Sequence, residues 1–92
     1  MRQDSAQLLA LQALGWLATQ DEAFAAFLSQ SGIELATLRA RAAEPAVLRS
    51  VLDHVQLSDA WVVDCAAALG VAPEEIGIAR AVLGGGDRRH WT

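Results

Sequence analysis

LLALQALGWLA, residues 8–18, is the stretch on which the fold turns. Ala10, Leu11, Leu14, Leu17 and Ala18 recur at the 3.6-residue helical period, and Leu9, Ala13 and Trp16 widen the stripe. Ser5, Gln12, Gly15 and Thr19 leave only a narrow polar strip. A helix that is apolar over most of its circumference has to be covered on several sides, so it is expected at the centre of a core and nearly inaccessible. Asp4, with Gln7 three residues on, predicts a capping box at its start. Preceded by Arg2, the same stretch also has the outline of a short export signal. Gln12 interrupts that outline, Asp4 cancels the positive charge, and no convincing small-x-small cleavage site follows. The gap between Asp4 and Asp21 is shorter and wetter than the ~20 apolar residues of a membrane span. A buried helix in a cytoplasmic protein, with no membrane partner, is the expectation.

Working outward, Asp21 is placed to cap a second helix carrying Phe24, Phe27 and Leu28, and Gly32 followed by Ile33 reads as a left-handed stop. Glu34 to Ala43 predicts a third helix with Leu35, Leu38 and Ala42 inward and Arg39 and Arg41 free. Pro45 ends it and opens a fourth, whose stripe is Leu48, Val51, Leu52 and Val55. Ser58 and Asp59 cap a fifth with Val62, Cys65, Ala66 and Leu69 inside, stopped at Gly70 and Val71. Pro73 opens a sixth, with Glu74 and Glu75 favourable for the helix dipole and Ile76, Ala79 and Leu83 inward. The fold class is therefore all-α: a compact bundle of five to six short helices in one domain, residues 1–86, followed by a glycine-hinged tail, residues 87–92.

Composition points the same way. Nineteen of the apolar residues are Ala, Tyr is absent, and the β-branched and aromatic residues that sheets need are thin. The net charge is −4, and all seven basic residues are Arg. An acidic balance argues against general nucleic-acid binding, which depends on many cations displacing counterions. With Cys65 as the only cysteine, neither an internal disulfide nor a four-cysteine zinc site is possible.

Shifted by 38 residues, the two halves share their punctuation: Asp21 meets Asp59, Gly32 meets Gly70, Leu14 meets Leu52 and Leu17 meets Val55. Each half then reads as helix, capped helix, glycine stop, helix, which raises the alternative of a pseudo-twofold pair of three-helix halves. Identity is limited to residues 14, 21, 32 and 43 with their partners, the chance level for so Ala- and Leu-rich a chain.

No catalytic, cofactor or metal residues are assigned from the sequence. Asp53 and His54 are helix neighbours and point in different directions. His54 is expected as a partly exposed helix residue, and Cys65, in the apolar stripe, as a small core residue with a raised pKa. His54, His90 and Cys65 have no metal-ligand spacing. LGVAPEE, residues 69–75, is similar to a phosphate-gripping helix-hairpin-helix turn, but Ala72 stands at the second glycine position and Glu74 and Glu75 would repel phosphate. A glycine stop and a proline-opened helix explain it better. Arg39, Arg41, Arg49 and Arg80 form an anionic-partner patch only if helices three, four and six share a surface. That is the alternative reading of a nucleic-acid-linked regulatory module.

LGWLA at 14–18, VLDH at 51–54, PEE at 73–75, Ala79-Arg80, the glycines from 84 and the terminal His90-Trp91 together resemble a family of small bacterial proteins known only as a domain of unknown function. The resemblance spans nearly the whole chain and implies no activity, ligand or site residue.

The absence of catalytic residues and the presence of three Trp beside only two other aromatics lead to an expected protein-interaction or adaptor module, docking a protein partner or a second copy. The partner-binding candidates are Trp61 and the tail residues Arg88, Arg89, His90 and Trp91. Three glycines lose much entropy on ordering, so a fixed Trp91 needs a compensating contact, and burying its indole would return ~2–3 kcal/mol. The tail's open alternatives are docking on its own domain, insertion into a partner or second copy, and disorder.

Overall fold

The computed structural model describes residues 1–84, which form six α-helices: α1 Gln3–Leu17, α2 Asp21–Ser31, α3 Leu35–Arg41, α4 Pro45–Val55, α5 Asp59–Leu69 and α6 Pro73–Leu83. No strand occurs among the described residues, and no helix there is long and apolar enough to cross a membrane. The core is built by α1, α4, α5 and α6. Helix α1 packs most extensively on α6, then on α4 and α5. It buries Ala6, Leu9, Ala10, Ala13, Leu14 and Leu17, and the three Ala residues on that face let neighbouring backbones come close. The whole expected stripe of α4, Leu48, Val51, Leu52 and Val55, is buried, as are Ile76, Ala79 and Leu83 of α6 and Cys65 and Ala66 of α5.

Helix α1 is central but not enclosed. Leu8 and Leu11 are exposed at 58% and 43%, and Ala18 is exposed as well. The reason lies in α2 and α3, which cover too little: α2 buries only Ala23 and Phe27, and the seven-residue α3 only Leu38. Leu35, expected inside, is 44% exposed.

The starts of α1 and α2 also differ from expectation. Helix α1 begins two residues early and α2 one, so Arg2 and Gln20 occupy the cap positions and Asp4 and Asp21 fall in the first turn, where their charge favours the helix dipole. Asp4 accepts from the Ser5 N–H and pairs with Arg2 instead of forming a capping box. Ser58 does cap α5, its Oγ accepting from the Trp61 N–H at 3.3 Å.

Both glycine stops are left-handed, Gly32 and Gly70 each at φ 72°. A Cβ at either would meet nothing within 4 Å, so an Ala substitution is penalised by backbone strain alone. Gly32→Ala and Gly70→Ala should each lose about 1 kcal/mol in denaturant titrations, and Asn should be milder at both. The halves share this local geometry but pack unequally. Helix α6 lies along α1, whereas α3, its counterpart under the 38-residue shift, makes no comparable contact with α4.

Candidate functional site

The incomplete cover of α1 creates a groove. Leu14 and Ala18 of the α1 end form its floor, Phe24 of α2 one wall, and Leu35, Leu38 and Ala42 of the α3 segment the other. Its volume is about 330 Å³. The left-handed Gly32 stop separates the α2 wall from the α3 wall, and just after it the Ile33 N–H donates to Ser31 Oγ at 3.2 Å. With Leu38 turned down into the core, Leu35, three residues earlier, stands at the rim. Leu8 and Leu11 continue the apolar surface along α1, since residues 8, 11 and 18 share one helical face.

Arg39 is the one charged side chain in the lining. It makes no ion pair among the described residues, while Arg41 pairs with Glu44 and Arg80 with Asp53. Arg49 donates from Nη1 to the Leu83 carbonyl at 3.4 Å. Of the four arginines weighed as an anionic patch, three are thus engaged by groups of the chain itself, each by a different one.

His54 corrects the sequence reading. It is 5% exposed, not a partly exposed surface residue. Its Nε2–H donates to the Ala23 carbonyl at 2.9 Å, because a carbonyl only accepts. Its ring meets Phe27 edge-on at a centroid distance of 5.4 Å and lies tilted against Trp61 at 5.1 Å. One imidazole thereby ties α2 and α5 to α4. Four residues apart from the helix face of Ser50, it also borders a second cleft of about 230 Å³, lined by Phe27, Gln30, Ser31, Ser50, Asp53 and Leu57. Asp53 accepts from Arg80 Nε of α6, and no hydrogen bond joins it to His54. With His54 Nε2 committed to a backbone carbonyl and Asp53 to a guanidinium, the pair forms no proton-transfer couple.

Trp61, the partner-binding candidate in the described region, is half-buried against His54 and borders a recess lined by Gln20, Asp21, Glu22 and Ala23, not the apolar groove. Arg88, Arg89, His90 and Trp91 lie outside the described residues. Cys65 is fully buried in the core, and burial pushes its thiol up to about 11, leaving little thiolate for nucleophilic chemistry. No His, Cys, Asp and Glu grouping suited to a metal occurs among the described residues. At the start of α6, the Glu75 carboxylate takes the Ala72 N–H at 2.8 Å, so the chain itself supplies the anion that a phosphate-gripping turn would leave to a ligand.

The groove was not singled out from the sequence. Its signal was present in the apolar circumference of α1, wider than the short third helix can cover. That mismatch becomes a surface only when the packing partners of α1 are known.

No curated protein and no solved structure matches the chain. A family pattern does, over residues 3–86: the chain belongs to the family described as "Protein of unknown function (DUF3572)".

Proposed function

We propose that this DUF3572 chain is a non-catalytic protein-docking module, residues 1–86 acting as one domain, and that it receives an amphipathic helix of a partner protein in the groove between α1, α2 and α3. The observation that carries the reading is the groove lined by Leu14, Ala18, Phe24, Leu35, Leu38 and Ala42 with a single charged side chain, Arg39, among them, beside the exposed Leu8 and Leu11 of α1. Helix-in-groove recognition uses apolar anchors at three- and four-residue spacing, which this length of α1 can match. Arg39 selects for a carboxylate beside the anchors, since an unpaired guanidinium next to apolar surface gains most from a bidentate acceptor. The α4, α5 and α6 scaffold beneath keeps the floor rigid, which limits the ordering cost of binding.

Selection from a peptide display library against the immobilised chain tests this. Enriched peptides should show helical apolar spacing with Asp or Glu next to an anchor. Their affinity should fall at least tenfold on Leu35→Glu and on Arg39→Glu, a loss of about 1.4 kcal/mol or more. Val63→Glu, at an exposed position of α5, should leave it unchanged. Peptides that bind both groove variants as well as the parent would contradict the assignment.

A further inference from the structure

We infer that the cleft between α2 and α4 beside His54 is a binding site for a small organic cation, a primary ammonium on a short apolar stem. Two helix faces form it. Phe27, Gln30 and Ser31 of α2 stand at three- and four-residue spacing, and so do Ser50, Asp53, His54 and Leu57 from α4 and the residues just after it. The observation that points to a ligand is the unused nitrogen of His54. The side chain is only 5% exposed, and its Nε2–H is spent on the Ala23 carbonyl, so Nδ1 carries a lone pair. Nδ1 has no hydrogen-bond partner among the described residues, and no fully buried side-chain nitrogen there lacks one, so Nδ1 is within reach of solvent. The cleft is the recess that His54 lines. An acceptor set between the rings of Phe27 and Trp61 gains from a donor that a ligand brings.

The neighbouring polar groups also accept. Ser50 Oγ donates its hydrogen to the Ala46 carbonyl at 3.1 Å, which leaves its lone pairs for a ligand. Asp53 accepts from Arg80 Nε and, as a carboxylate, keeps further acceptor capacity. An ammonium carries three N–H donors and no acceptor, which matches His54 Nδ1, Ser50 Oγ and Asp53 in number and in kind. Asp53 is the only acid of the lining, and no Lys or Arg lines it, so charge selects a cation over an anion. The stem is limited by space. At about 230 Å³ the cleft is smaller than the usual ~300–1,000 Å³ of a drug-sized site. Apolar contact comes from buried Phe27 and from Leu57, which is 67% exposed and the most exposed of the large apolar side chains among the described residues. A stem laid on Leu57 removes that surface from water.

The test titrates butylammonium, benzylammonium and phenethylammonium into the full chain and follows the backbone amides and the His54 ring nitrogens by NMR. At least one of these amines should move the amides of Gln30, Ser31, Ser50 and Asp53 saturably at millimolar concentration and leave those of Leu35 and Ala42 in place. The same amine should shift the Nδ1 resonance of His54 while Nε2 keeps its own. Asp53→Asn and Ser50→Ala should each weaken that binding about tenfold, as for the loss of one hydrogen bond to a charged group. The trimethylammonium counterpart, with the same stem and charge but no N–H, and the carboxylate counterpart should bind about tenfold more weakly or not at all. Four results would overturn the inference: no saturable shift from any of the amines; equal binding of either counterpart; binding that both substitutions leave unchanged; and shifts that spare His54 Nδ1 or fall at Leu14, Leu35 and Ala42 instead. None of these touches the display experiment, which reads the other groove.

Discussion

Phe27→Ala should remove about 3–5 kcal/mol of stability, the range for emptying a buried aromatic site. Phe27 is 2% exposed and is one of only two buried residues of α2, the other being Ala23. Little else anchors that helix to the body. The substitution also strips the edge contact from His54, whose bond to the Ala23 carbonyl then has less to hold it in line. The loss should therefore exceed what volume alone predicts for a well-supported helix, and Phe24, the α2 wall of the groove, should become mobile with it. A urea titration reads the stability, and backbone-amide exchange in α2 reads the detachment. A cost below about 1 kcal/mol, with α2 protection intact, would show that α2 is held by contacts other than the Phe27–His54 junction.

Leu17→Ala carries a comparable cost, about 3–5 kcal/mol, for a different reason. Leu17 is fully buried on the face of α1 that meets the α4, α5 and α6 scaffold, where close-packed neighbours cannot collapse to fill the space. Leu11, less than two turns earlier, provides the internal contrast. It is 43% exposed, and Leu11→Ala should cost less than about 1 kcal/mol. Equal losses at the two positions would mean that the exposed face of α1 is buried in solution, with the groove closed or occupied.

What could be read from the sequence divides along the same line. The α4 stripe, the inward face of α6, the Cys65 core position and the two left-handed glycine stops follow from local chemistry, because period, proline and glycine act within a few residues. The cap positions of α1 and α2 lie two residues and one residue before the acids expected there, since an acid in the first turn and an acid at the cap satisfy the dipole almost equally. Leu11, Leu35 and His54 were assigned the wrong environment for a common reason. Helical period tells which residues share a face, but whether that face is covered depends on which distant helix arrives. His54 is buried because α2 and α5 both close on α4, and Leu35 is exposed because α3 is too short to be covered in turn. The matching punctuation of the two halves likewise described local stops, not equivalent packing.

Site-specific photo-crosslinking in living cells tests the docking account most directly, with benzoylphenylalanine placed in turn at residues 11, 35, 63 and 78. All four side chains are exposed and apolar in the native chain, so they differ in location and little in chemistry. The account predicts a discrete protein adduct from positions 11 and 35, lost when Arg39 is replaced by Glu in the same chain, and none from 63 and 78. Adducts of equal yield from all four positions, or from 63 and 78 alone, would contradict it.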